Sequence, residues 1–181
     1  MTIAKKAVII LGAILLGATA SINFALAQDT PMTDAQINQI KSSCLSAKGT
    51  MAQLHANDAL IRVNRGQMYE SMATKLMSRF NDRVDNNHLN SKYLVSVTQD
   101  YNTALTTFRN DYQLYEESLS SALKIDCTKE PVSFYDAVAD ARTKRAQVHS
   151  DVLKLHQYID QYKTAFDEFV TGLVDLTGSG N

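Results

Sequence analysis

The chain has 181 residues, 45% of them hydrophobic and 20% charged, enough for one globular domain. Its net charge is −1, which excludes nucleic-acid binding through a broad phosphate footprint, because that requires a basic face. Two prolines and no tryptophan favour long, unbroken helices.

The N-terminus stands apart. Lys5 and Lys6 precede AVIILGAILLGATA, an apolar run of 14 residues, and Ala25 and Ala27 form an A-x-A site before Gln28. A positive start, a short apolar run and small residues at a cleavage point predict a secretory signal peptide over residues 1–27. The rival is an uncleaved anchor, since residues 7–27 approach the ~20 needed to cross a bilayer. Ser21 and Asn23 weaken that span. No cysteine follows the apolar run, which argues against a lipid-anchored form. Cleavage would remove two lysines and no acid, leaving a charge of −3. The chain is therefore expected outside the cytoplasm, in the periplasm, at the cell surface or secreted. It would touch a membrane only if the first segment is retained.

Residues 28–32 read as a short linker, and residues 33–176 as three helices. The first begins at Thr33, where Thr33 and Gln36 have capping-box spacing. Its apolar stripe runs Ile37, Ile40, Cys44, Ala47, Met51 and Leu54, then Asp58, Ile61, Arg65, Met68 and Met72. Steps of three and four alternate without a miss, as in a heptad seam. Beyond Met72 the stripe moves to Leu76 and Phe80 by four-residue steps, a stutter. The segment NDRVDNNHLNS at 81–91 is rich in turn formers.

The second helix is expected from about Asn90 to Ile125. Its stripe is Leu94, Val97, Tyr101, Leu105, Phe108, Tyr112, Tyr115, Leu119 and Ala122. DCTKEP at 126–131 breaks it, with Asp126 or Thr128 as a cap and Pro131 in the next first turn. The third stripe runs from Phe134 through Val138, Ala141, Arg145 and Val148 to Leu173. Residues 177–181, TGSGN, read as a flexible tail.

Short connections between long amphipathic helices predict antiparallel neighbours. The fold class is thus all-α, an elongated up-down-up three-helix bundle. Cys44 and Cys127 then meet at one end, and an exported chain would hold them as a disulfide. That link closes a loop of 83 residues, worth about 4.5 kcal/mol by the chain-entropy argument. It also sets the register. A third-helix residue should lie beside the first-helix residue 86 positions earlier. Arg145 then falls next to Asp58, and Asp151 next to Arg65.

The sequence therefore predicts a buried polar layer of Asp58, Arg65, Arg145 and Asp151. Asp58 pairs with Arg145, and Arg65 is drawn toward Asp151 or Asp111. Charges in a seam are costly unless paired, and their best use is to fix register. Gly66 is unusual inside a helix, marking either a close approach or a bend.

The remaining residues give no chemistry. His149 and His156 are two turns apart, too far to share a metal without further ligands. No phosphate loop, Ser/His/Asp pattern or cofactor motif is visible, so no catalytic residue, metal or cofactor is expected. The tyrosines of the second helix and Met51, Met68, Met72 and Met77 read as core. Tyr69, Tyr93, Tyr135 and Tyr158 lie off the stripes. The expected function is a non-enzymatic envelope scaffold, spacer or protein-binding rod; the alternative is an extracytoplasmic chaperone or client-binding module. Another protein is the expected partner. Heptad seams can also be shared between chains, which leaves room for an oligomer.

Overall fold

A computed structural model describes residues 31–178, with side chains through residue 174. The expected signal segment 1–27, most of the linker and the end of the tail lie outside the described residues. From Met32 onward the chain forms one compact unit. Among the described residues no helix is long and apolar enough to cross a membrane.

The unit is an all-α, antiparallel three-helix bundle. Its first arm comprises α1 (Asp34–Ser71), a π-helical segment (Met72–Met77) and α2 (Ser78–Asn86). The second arm is α3 (Lys92–Lys124) and the third α4 (Pro131–Gly178). The capping box forms as its spacing implies: Gln36 N donates to Thr33 Oγ1, and Thr33 N donates to Gln36 Oε1. The helix α4 runs past the expected boundary at 176, so the first residues of the supposed tail are helical.

Packing is uneven. The long helices α3 and α4 pair along their length, whereas α1 meets both through fewer contacts. All nine expected positions on α3 are buried. Cys44 and Cys127 form the disulfide, with Cα atoms 5.6 Å apart and Phe134 packed against them.

The first arm departs from its expected stripe. Ile61, Met68 and Leu76 are 56%, 38% and 62% exposed. Tyr69, Ala73, Met77, Asn81 and Val84 are buried in their place. The cause is helical pitch. At 3.6 residues per turn, Tyr69 rather than Met68 returns to the face of Cys44, whereas a strict heptad needs a supercoil. Next, the steps Tyr69–Ala73–Met77–Asn81 are all four residues long. An α-helix would drift off the face; the wider π turn between Met72 and Met77 holds it there. The stutter was placed correctly along the chain, but Leu76 points outward.

Both connections also differ from expectation. Residues 81–86 are helical, because Asn81 is a core residue: it donates to Thr98 Oγ1 (2.8 Å) and accepts from Tyr162 (2.8 Å). The turn proper begins at Asn87. His88 takes φ 57°, while Leu89 N bonds Val84 O and His88 N bonds Asp85 O, a Schellman end with histidine in the left-handed position. At the second connection neither Asp126 nor Thr128 caps α4. Asp126 Oδ1 instead accepts from Thr128 N and Oγ1, and Phe134 N bonds Glu130 O.

Candidate functional site

Because α1 stands off the α3–α4 pair, a cleft runs between them. The part nearest the disulfide has a cavity volume of about 480 Å³. Ile40, Met51 and Leu54 line it from α1, Leu119 from α3, and Phe134 and Val138 from α4. These side chains follow from the stripes: each helix turns its apolar face inward, and the faces do not close. Arg142 and Arg145 border this chamber, and no acid lines it. A second chamber, about 330 Å³, lies farther along. Arg62, Arg65, His149 and His156 line it together with Tyr69 and Tyr112.

Between the chambers sit Asp58, Arg145 and Tyr115. Arg145 donates to Asp58 from Nε (2.9 Å) and from a terminal nitrogen (3.3 Å), a two-pronged contact. Tyr115 donates its hydroxyl to Asp58 Oδ2 at 2.7 Å. The Asp58 side chain is 12% exposed and that of Arg145 51%, so the layer is sealed at α1 and open to water at α4. Burial pushes the Asp58 carboxyl up, but the hydrogen bonds from Arg145 and Tyr115 and the nearby Arg145 and His55 charges hold it below its ordinary value. Burial and the bond to Asp58 push the Tyr115 phenol well up, so it stays a donor.

The offset between α1 and α4 is 87 residues at Asp58–Arg145 and again at Tyr69–His156, one more than the sequence register of 86. The other half of the expected layer does not form. Arg65 is exposed and lies near Tyr69, whose phenol it acts upon. It makes no ion pair among the described residues with Asp151 or Asp111. The reason is the same rotation of α1 that turns Met68 outward. Asp151 is buried at 7% exposure. Gln147 donates to its Oδ1 at 3.1 Å, while its Oδ2 has no partner. Burial first, and then the neighbouring carboxyl of Asp111, push Asp151 up.

Sequence reasoning missed Tyr115, Tyr69 and His156. Tyr115 looked like plain core, and its hydroxyl, within reach of Asp58 in the predicted register, was the available signal. Tyr69, placed off the stripe, is 1% exposed; its hydroxyl is 3.0 Å from His156 Nε2, and its carbonyl accepts from Tyr101.

Ser120 Oγ and His55 Nε2 approach to 3.4 Å, but that is long for a nucleophile–base pair. Asp58, one turn further along α1, spends its oxygens on Arg145 and Tyr115, so it does not orient the imidazole. Among the described residues no group of three or more His, Cys, Asp or Glu could hold a metal. Compared with known proteins, the chain matches no family model, no curated protein and no solved structure.

Proposed function

We propose that the chain is an exported, non-enzymatic helical binding protein of the cell envelope that holds an apolar guest between α1 and the α3–α4 pair. The observation that carries this reading is the cleft beside the disulfide, about 480 Å³ and lined mainly by apolar side chains. Binding pockets commonly have this size and character, with a few polar groups to orient the guest. Export is supported by the N-terminal sequence pattern and by the disulfide, which persists in oxidising compartments.

A second reading, a scaffold that docks another protein, is favoured by the outer side of α1. Leu60 and Val63 are 67% and 52% exposed there. Photo-crosslinking side chains placed singly at Leu54 and Leu60, in the native cells, separate the two. Adducts at Leu54 that disappear when Ala141→Trp fills the cleft are the expected result. Adducts at Leu60 alone would replace the cleft by the outer face. Absence of both would overturn binding as the function.

A further inference from the structure

The far end of the bundle carries a face of a different kind. Lys75, Arg79 and Arg83 recur every four residues through the π segment and α2, and all three border one groove with Leu76, Phe80 and Phe166. No acid lines that groove. Among the described residues, none of the three cations makes an ion pair, although the chain as a whole is slightly acidic. Some other basic residues do find acids: Arg62 meets Glu116, Arg109 meets Glu70, Lys144 meets Asp140 and Lys163 meets Asp167.

The apolar half of the face is equally exposed. Leu76 is 62% exposed and Phe166 36%. Phe166 is held firmly, because Phe80 packs edge-on against it and against Phe169, with ring centroids 4.8 and 5.8 Å away. The π turn contributes directly. It keeps four-residue steps on one face, so the cations at 75, 79 and 83 stay aligned while Ala73, Met77 and Asn81 stay in the core.

We propose that this face docks on an anionic lipid surface. Apolar side chains beside a row of long cationic ones match the layering of a membrane interface, where rings and alkyl groups enter the headgroup boundary and Lys and Arg stay at the phosphates. The cations suit phosphate-bearing lipid, and no acid among the described residues pairs with them. Three such charges favour an anionic over a neutral surface by roughly 100-fold. The face is distinct from the guest cleft and does not depend on it.

The test uses the chain from Gln28 onward, the form that the expected cleavage leaves, which contains the described core and the disulfide. Sedimentation with phosphatidylglycerol vesicles should show binding that weakens as salt is added. Phosphatidylcholine vesicles should bind on the order of 100-fold less. The variant Lys75→Gln, Arg79→Gln, Arg83→Gln should lose that preference, and Leu76→Asp should lower binding to both vesicles; circular dichroism checks that each is folded. Equal binding to both lipids, no binding to either, or a triple variant with unchanged preference would each overturn the proposal. Binding of polyglutamate through the same cations without binding of vesicles would overturn it in favour of an acidic protein partner.

Discussion

Asp58 accepts hydrogen bonds from two other helices at once, and that makes it the residue whose loss should be felt most in the cleft. Its removal leaves the Tyr115 hydroxyl without its acceptor, costing about 1–3 kcal/mol. The Asp58–Arg145 coupling itself is smaller, because Arg145 is half in water; a double-mutant cycle of Asp58→Ala and Arg145→Ala should return about 1 kcal/mol. Strict additivity of the two losses would sink the pairing. The pH dependence has a definite sign. The folded carboxyl is held below its ordinary value, so its contribution is present above the unfolded value near 3.9 and disappears as pH falls through the folded one. Asp151 has the opposite sign, since burial and Asp111 raise it. The ionised form is therefore a liability at neutral pH. Asp151→Asn keeps the acceptor for Gln147 and gains a donor toward Asp111. It should stabilise the fold by roughly 1 kcal/mol near pH 7, and urea unfolding at lower pH should show the gain shrinking. Gly66 is simpler. A side-chain Cβ there would meet nothing within 4 Å, so Gly66→Ala should stabilise by about 1 kcal/mol, and the idea that it permits a close helix approach is excluded.

The elements explain which of these residues could be read from the sequence. Nine of the eleven buried positions on α3 were legible because its apolar positions face two partners and tolerate a small angular error; Thr98 and Ala104 were not, being polar or small. Asp58 and Arg145 were legible because the disulfide and the turns fix the register independently of any helix pitch. Arg65 and Met68 were not: they lie far enough from Cys44 for the gap between 3.5 and 3.6 residues per turn to rotate Met68 outward and Arg65 to the exposed rim of the second chamber. Asn81 was misread because turn propensity is a local preference, and two buried hydrogen bonds override it. The π segment supplies a direct test at this scale. If it absorbs one extra residue, deleting the exposed Thr74 should restore an α-helix and keep Tyr69 and Asn81 in place, at a cost within about 1–2 kcal/mol. Deleting Gln67 from α1 should rotate every later core residue and cost more than about 3 kcal/mol. Equal damage from both deletions, read by thermal unfolding, would show that the π turn absorbs nothing.

Across the whole bundle, stability and the cleft pull against each other. A closed three-helix core would leave no chamber; here α3 and α4 supply most of the packing, and α1 is left partly detached. What holds its first half in place is the covalent link at Cys44–Cys127, the small cluster of Ile40, Ala47, Met51, Phe134 and Val138 around it, and the Asp58 layer farther along. The link closes 83 residues, a constraint worth about 4.5 kcal/mol before any strain. Reduction should therefore act unevenly. In amide hydrogen exchange, protection should fall first in residues 34–58, while α3 around Tyr101–Phe108 and α4 around Leu155 keep theirs, because their core cluster with Tyr69 contains no cysteine. Loss of protection at one rate throughout would mean that α1 and the hairpin are a single cooperative unit and that the cleft is not a hinge-like gap. The uneven outcome would tie guest binding to redox state, since the link is the covalent one of the three features that hold the wall of Ile40, Met51 and Leu54 against the pair.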